Sequence, residues 1–357
     1  MAARLPAALG YRMPAEWEPH AATWIAWPHH TPDWPGKFAA IPWVYAEIVR
    51  ALASSERVEI LVNNAASETS ARRILRDAHV PLRNLRFHRC PTNRGWTRDC
   101  GPIFLTRRSP PRLALTDWRF SAWAKYSNWQ QDDRVPSRIA RRLRVPAFRP
   151  VTQIGGRTQP IVLEGGSIDV NGRGALLTTE ECLLSPVQAR NPGLSREQVE
   201  QFLRDWLGVH KVLWLGRGIA GDDTHGHVDD IARFVAPRTV LAAWEPDPAD
   251  VNHLPLAENL RRLRRMTDQQ GRPLQVVKLP LPAPVVFRGQ RLPASYANFY
   301  IANRAVLVPV FNDPNDRVAL DLLASLFPGR RIVPIYCGDF IWGLGAIHCM
   351  TQQQPLT

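Results

Sequence analysis

The stretch at residues 221–230 places four carboxylates and two histidines within nine positions, namely Asp222, Asp223, His225, His227, Asp229 and Asp230. So many like charges are costly in one place unless a metal, a cationic ligand or a catalytic task compensates them. The His-x-His pair with flanking aspartates supplies ligands that suit a divalent metal. The same residues also suit a metal-free site in which carboxylates hold a cation and one histidine transfers protons. The stretch alone leaves both interpretations open.

Cys349 is the candidate nucleophile, because it follows two glycines and an alanine (Gly343, Gly345 and Ala346) that let the backbone approach a ligand closely. A cysteine nucleophile needs a partner that exchanges protons near neutral pH, and His227 has the required side chain. The other four cysteines lack such surroundings, and we expect them to be structural: Cys90, Cys100, Cys182 and Cys337.

Acidic and aromatic residues elsewhere in the chain could hold a planar cation. Asp99 and Asp229 could grip a guanidinium from two sides, since its N–H forks match carboxylates. Glu164, in a Glu-Gly-Gly segment, could accept a hydrogen bond from His227 or from the substrate. Trp96 could lay its ring face against the cation. Taken singly, each has a structural alternative, namely an ion pair with an arginine for the carboxylates and a core position for the tryptophan.

A repeated plan predicts how these residues are brought together. Four passages show two apolar strands around a short turn, and residues 22–27 resemble a degenerate further copy. A helix follows each passage, and a short strand follows most helices, so the chain reads as about five strand-strand-helix-strand units. Polar segments precede or enter each pair of strands at residues 24–27 and at Asp99, Glu164, His227 and Asn298, and a last polar segment ends at Cys349. If the units close into a ring, these segments converge on its axis. We then expect Asp99, Glu164 and Asp229 to line one cavity, with their carboxylates directed inward and without arginine partners. The four passages are residues 103–118, 167–179, 230–244 and 298–309.

Composition sets the broad class. The 357 residues are 45% hydrophobic and 22% charged, which is typical of a globular chain. No apolar run reaches membrane-span length and no signal peptide is evident, so no membrane partner is expected. Five cysteines without a CxxC pair favour the reducing cytoplasm. The net charge of +13 comes from arginines that are spread along the chain, and no nucleic-acid-binding motif accompanies them, so no nucleic-acid partner is expected.

Six segments in order resemble the agmatine deiminase family, which belongs with the bacterial peptidylarginine deiminases in the guanidine-modifying superfamily. The resemblance covers roughly residues 11–355, nearly the whole chain. The segments are 13–20 (MPAEWEPH), 24–28 (WIAWP), 96–102 (WTRDCGP), 164–166 (EGG), 226–229 (GHVD) and 347–353 (IHCMTQQ).

This resemblance implies an α/β fold, a five-bladed propeller (pentein) of ββαβ units around a central active site, in one catalytic domain over residues 1–357. It implies hydrolysis of agmatine to N-carbamoylputrescine and ammonia through a covalent amidino-cysteine, with neither metal nor other cofactor. The partner would be a small cationic guanidine, and the resemblance also allows a homodimer. The implied catalytic residues are Cys349, His227 and Glu164, and the implied substrate-binding residues are Asp99, Asp229, Trp96 and Asp223.

Two departures from the family pattern concern the substrate. His225 stands where the family commonly has aspartate, which is expected to remove a negative charge near the far amine of agmatine. Residues 343–346 read Gly-Leu-Gly-Ala where the family often has four glycines, which is expected to stiffen the nucleophile loop. Deimination of arginine or of peptidyl-arginine therefore stays open as an alternative. A further alternative is a metal-dependent or non-catalytic guanidine-binding protein.

Overall fold

The computed structural model describes residues 5–154 and 156–357 and contains the five predicted strand-strand-helix-strand units. In each unit an antiparallel pair of strands is followed by a helix, and the strand after the helix runs parallel to the second strand of the pair. The α-helices are α1 (Ile41–Ala53), α2 (Ala65–Asp77), α3 (Thr97–Cys100), α4 (Val135–Leu143), α5 (Glu180–Leu184), α6 (Arg196–Leu207), α7 (His253–Arg265) and α8 (Pro314–Leu326).

The strands are short and lie in small separate sheets. The strands are β1 (His20–Ala26), β2 (Arg57–Val62), β3 (Leu85–Arg89), β4 (Ile103–Thr106), β5 (Leu113–Thr116), β6 (Ala147–Phe148), β7 (Val151–Ile154), β8 (Arg157–Pro160), β9 (Asp169–Val170), β10 (Ala175–Thr179), β11 (Lys211–Leu215), β12 (Ala232–Ala236), β13 (Thr239–Trp244), β14 (Gln275–Pro280), β15 (Val286–Phe287), β16 (Gln290–Arg291), β17 (Tyr300–Ile301), β18 (Ala305–Val310), β19 (Arg331–Tyr336) and β20 (Gln352–Pro355). Each of the four passages that the sequence predicts as a strand pair contains one, and the helix predicted after each pair is present: α4, α6, α7 and α8.

Helix α6 shows how local sequence sets the boundaries. The Ser195 side chain accepts a hydrogen bond from the backbone N–H of Gln198, and the Gln198 side chain accepts one from the backbone N–H of Ser195. This reciprocal pair, a capping box, starts the helix. Gly208 ends it in a left-handed conformation with φ of 67°. Val199 and Leu203, on one face, join the core of their unit. None of the helices in the described ranges has both the length and the apolar character needed to cross a bilayer.

The first unit differs from the prediction, because its strand pair is shared between the two ends of the chain. Strand β1 pairs antiparallel with β20, so that Trp24 lies opposite Gln352. The prediction that residues 24–27 carry polar groups toward the axis is wrong. Trp24 is buried in β1, and its indole N–H donates to Gln354 Oε1 at 2.9 Å. The C-terminal strand therefore completes the ring.

Five short helical turns meet at the axis, and we call them the central turns. Each contacts the next, and the last contacts the first. They lie just before, or at the start of, the strand pairs, which is why residues far apart in sequence share one site. The central turns are Thr97–Cys100, Gly165–Ser167, Val228–Asp230, Tyr296–Asn298 and His348–Met350.

Candidate active site

Cys349 lies in the last central turn, and its sulfur contacts two polar side chains. The Asn298 side-chain N–H donates to Cys349 Sγ at 3.1 Å and to Asp230 Oδ1 at 2.9 Å. The thiol faces Asp229 Oδ2 at 3.7 Å. Burial raises the pKa of Cys349 well above its usual value, and the charges of Asp229, Asp230 and Asp99 raise it further. The free enzyme therefore holds Cys349 as the thiol.

Asp99 has no arginine partner among the described residues, as the sequence predicts. Its Oδ1 accepts the backbone N–H of Gly166 at 3.0 Å, and its Oδ2 accepts the indole N–H of Trp123 at 2.9 Å. Burial raises the pKa of Asp99 to about 6, against the lowering effect of His227 and with further raising effects from Asp229 and Glu164. Apart from His227, this buried carboxylate has no cationic partner among the described residues, so it suits a cationic ligand.

This raised pKa predicts a pH-dependent stability. Because the folded protein binds the Asp99 proton more tightly than the unfolded chain, stability is lost as the pH rises from 3.8 through about 6. The shift corresponds to about 3 kcal/mol. The free energy of unfolding of Asp99→Asn relative to wild type should therefore rise by up to about 3 kcal/mol between pH 4 and pH 7. Urea unfolding at several pH values measures it, and a pH-independent difference would contradict the assignment.

His227 is fully buried beside three carboxylates. Its Nδ1 lies 3.8 Å from Asp99 Oδ1 and 4.0 Å from Asp229 Oδ1, and its Nε2 lies 3.5 Å from Glu164 Oε2. Neither ring nitrogen has a hydrogen-bond partner among the described residues. Burial lowers the pKa of His227, but Asp99, Cys182 and Glu164 outweigh it and raise the pKa well above the usual value. The imidazolium form therefore predominates in the free enzyme.

Glu164 lies beside His227 as predicted, but the expectation that it has no arginine partner is wrong. Arg190 Nε donates to both carboxylate oxygens, at 3.1 and 3.2 Å, and both side chains are fully buried. A carboxylate at this depth requires a compensating charge. Burial raises the pKa of Glu164, but Arg190 and His227 lower it below its usual value overall. Glu164 therefore remains an anion that faces His227.

Cys182, one of the four cysteines expected to be structural, lies beside this cluster. Its sulfur, His227 and Glu164 offer atoms within 4.8 Å of one another. The second group of donors at that spacing among the described residues is Asp229, Asp230 and Cys349. Neither group contains His225, so the His-x-His pair does not form one ligand set.

A cavity of about 290 Å³ leads to Cys349 and Asp99. Trp96 lines it, as predicted, and donates its indole N–H to Asp33 Oδ2 at 3.3 Å. Asp223 also lines it, and its carboxylate bonds Lys125 and accepts the Tyr126 hydroxyl at 2.6 Å. The prediction that all the carboxylates line one cavity is only partly right. His227, Glu164 and Asp229 do not line it and lie fully buried.

The two departures from the family pattern have different consequences. His225 does not face this cavity. Its Nε2 lies 3.1 Å from Ser185 Oγ, at a separate surface cavity. The expected loss of a charge near the substrate is therefore wrong. Leu344 does line the substrate cavity, and it has a left-handed backbone with φ of 66°, where glycine would be unstrained. Leucine at this position therefore strains the loop, and the expected stiffening stays a prediction.

Sequence reasoning missed two residues that hold the site, Trp123 and Arg190, and the contact made by a third, Asn298. Trp123 lies at the centre of three consecutive left-handed residues, 122–124, that contain no glycine, so no turn signal marks it. Arg190 lies 26 positions from Glu164 without a shared motif. Asn298 was placed at the axis by its spacing, but nothing in the sequence indicates that it bonds Cys349.

Comparisons with known proteins agree with the geometry. A sequence profile of the Porphyromonas-type peptidyl-arginine deiminases matches residues 12–355. A protein of Latilactobacillus sakei subsp. sakei, provisionally named agmatine deiminase, is 38% identical over 373 residues, covering 97% of this chain and 96% of the relative. The Enterococcus faecalis agmatine deiminase structure matches with a TM-score of 0.90 and 35% identity, covering 99% of this chain and 98% of that one. The agmatine deiminase of C. jejuni, as a cysteine-to-serine variant with substrate bound, matches with a TM-score of 0.84 and 28% identity, covering 96% of each chain.

These matches confirm the resemblance inferred from the six segments. They also confirm the fold class, since five ββαβ units joined at central turns form the five-bladed α/β propeller of the penteins. The profile and the relatives cover nearly the full length. The chain therefore belongs to the Porphyromonas-type peptidyl-arginine deiminase family, alongside relatives that are named agmatine deiminases.

Proposed function

We propose that this protein hydrolyses a guanidinium substrate, agmatine, to N-carbamoylputrescine and ammonia. The observation that carries the proposal is a thiol, Cys349, that shares a cavity with Asp99, a carboxylate without an arginine partner among the described residues. A substrate guanidinium supplies a further cation there, and its N–H groups match the Asp99 carboxylate and the unpartnered Oδ1 of Asp229. Relatives named agmatine deiminase support the same substrate.

The protonation states indicate how the first step proceeds. With Cys349 as the thiol and His227 as the imidazolium, the bound guanidinium lowers the pKa of the thiol because it offsets the nearby carboxylates. The thiol proton is then lost to water, and the thiolate attacks the guanidinium carbon. His227 donates its proton to the departing nitrogen, and ammonia leaves. The product is an S-alkylthiouronium on Cys349.

Hydrolysis of this intermediate regenerates the enzyme. Neutral His227 takes a proton from water, and the resulting hydroxide attacks the same carbon. The C–S bond breaks, the leaving Cys349 sulfur takes up the proton of the attacking hydroxyl group, and a neutral ureido group is released while the thiol is regenerated. Glu164, anionic beside His227, stabilises the imidazolium that forms in this step.

The charges around the cavity favour agmatine over arginine. A free arginine would need a cation for its carboxylate, and Arg94 lines the cavity. Arg94 is, however, paired with Asp33, which lines the cavity as well. Lys125, near the same opening, is paired with Asp223. Each of these cations already forms an ion pair with a carboxylate. The part of the cavity away from Cys349 therefore offers no unpaired cation from Arg94 or Lys125 to bind the carboxylate of arginine.

The proposal extends to the setting of the enzyme. It treats residues 1–357 as one catalytic domain, which is supported by central turns that come from all five units. It places the enzyme in the cytoplasm, which is supported by five free, buried cysteines. It assigns no nucleic-acid partner and leaves a homodimer to be tested by measuring the mass in solution.

The test is a side-by-side assay of ureido product from agmatine, arginine and a blocked arginine peptide, with and without a chelator and a thiol-alkylating agent. We expect agmatine to give the highest kcat/KM. Activity should survive EDTA and be lost on alkylation, and agmatine should protect. Preference for arginine would favour the alternative substrate. Activity that EDTA abolishes and added zinc restores would instead support the metal-dependent alternative.

A further inference from the structure

His348, next to the nucleophile, lies between two buried carboxylates. Its Nδ1 is 2.7 Å from Asp229 Oδ2, and its Nε2 is 2.8 Å from Glu16 Oε2. Ionised carboxylates only accept hydrogen bonds, so both ring nitrogens must donate, and only the imidazolium does so. The side chain is 2% exposed, so water does not screen these contacts. This hydrogen-bonding geometry therefore makes His348 a cation in direct contact with Asp229.

Glu16 is fixed in turn by groups from distant parts of the chain. Its Oε1 accepts from Arg233 at 2.9 Å and from the backbone N–H of Ile301 at 2.8 Å, and Arg98 donates to its Oε2 at 3.2 Å. Burial raises the pKa of Glu16, but Arg233, His348 and Arg98 outweigh it and hold the pKa well below its usual value. Glu16 is therefore an anion anchored on two arginines.

The remaining groups that face His348 are mostly backbone contacts. Its backbone N–H donates to Asn298 Oδ1 at 3.0 Å, and Arg98 Nε lies 3.4 Å from its carbonyl oxygen. The next residue along the chain is Cys349. The charged groups around the imidazole are thus Asp229 and Glu16 in direct contact, with the two arginines beyond Glu16.

We propose that His348 and Glu16 are positioning residues that keep Asp229 ionised and orient its carboxylate toward the substrate. His348 occupies Oδ2, which leaves Oδ1 without a hydrogen-bond partner among the described residues. That oxygen faces His227 Nδ1 at 4.0 Å. The inference rests on the proposed function, because the free oxygen is assigned to a guanidinium N–H. It also gives a role to the first family segment, which supplies Glu16.

The test is a double-mutant cycle on agmatine binding, measured by calorimetry in a Cys349→Ser parent that does not turn over. His348→Gln should weaken binding about 10- to 100-fold when Asp229 is present. In an Asp229→Asn background, His348→Gln should weaken agmatine binding by no more than about twofold. Binding by the His348→Gln variant should also decline on acidification from a higher pH than in the parent, because Asp229 has lost its adjacent cation.

The matched control is His88→Gln, which removes another histidine bonded to a carboxylate, Glu59, away from the site. It should leave agmatine affinity unchanged. Glu16→Gln is the second variant, and it should weaken binding in the same direction even if His348→Gln does not fold. Equal losses from His348→Gln in both Asp229 backgrounds would overturn this inference alone. A folded parent that binds no agmatine would overturn the proposed function as well.

Discussion

Replacing Cys349 by serine is expected to lower kcat for agmatine by at least roughly 10⁴-fold. A serine hydroxyl is far harder to ionise than a thiol, and the nearby carboxylates Asp229, Asp230 and Asp99 already oppose a further negative charge. The carboxylates that hold the guanidinium are untouched, so the variant should still bind agmatine. The measurement is ureido product formation, together with the Kd for agmatine.

The control is Cys337→Ser, because Cys337 is equally buried and lies outside the central turns. It should retain wild-type kcat per folded molecule, even if its midpoint of thermal unfolding falls. Near-normal turnover by Cys349→Ser would exclude Cys349 as the nucleophile. Loss of agmatine binding by the folded Cys349→Ser variant would instead contradict the proposed function, because the carboxylates alone are expected to hold the guanidinium.

Replacing Gly166 by alanine is expected to lower kcat/KM at least about 100-fold, the cost of misplacing catalytic groups by roughly 1 Å. An added Cβ would lie 2.6 Å from His227 Nδ1, 2.8 Å from Asp99 Oδ1 and 3.1 Å from Asp229 Oδ2. All three groups would have to move, although the backbone at Gly166 itself needs no left-handed conformation. The pH dependence of kcat/KM should change as well, because the distances between the ionisable groups of His227, Asp99 and Asp229 change.

Gly329→Ala is the matched control, since a Cβ at that position meets no atom within 4 Å. It should leave kcat/KM and stability nearly unchanged. If Gly166→Ala retained activity, the three groups would not need their present spacing, and the roles assigned to Asp99 and His227 would have to be revised. Thermal unfolding of both variants shows whether either change acts through stability.

Much of the fold is visible in the sequence because its signals are local. Apolar strands around short turns, and an amphipathic helix such as α6 with its own cap, mark each unit. Helix α2 was not predicted, because only Ala71 and Leu75 of its residues are buried and its apolar face is narrow. The pairing of β1 with β20 was not predicted either, since nothing local links two strands at opposite ends of a chain.

In the candidate site, too, some residues could be predicted from the sequence and others could not. Asp99, Glu164, His227 and Cys349 could be identified from residue type, spacing and family segments, and the structure brings them together. The charged residues that pair with the buried groups of the site could not be identified from the sequence. Arg190 beside Glu164, and Glu16 beside His348, are contacts between segments that meet only in the folded ring. With 45 lysines and arginines in the chain, composition cannot identify which cation is the partner.

The pairing of β1 with β20 has a consequence for biosynthesis. The ribosome makes His20–Ala26 long before Gln352–Pro355, so β1 lacks its antiparallel neighbour while the intervening units are synthesised. At roughly 5–20 residues per second, that interval lasts from about 15 seconds to about a minute. The nucleophile, three residues before β20, can enter the site only after the four other central turns have been made. A nascent chain that has not yet reached Cys349 therefore cannot modify guanidines through this nucleophile.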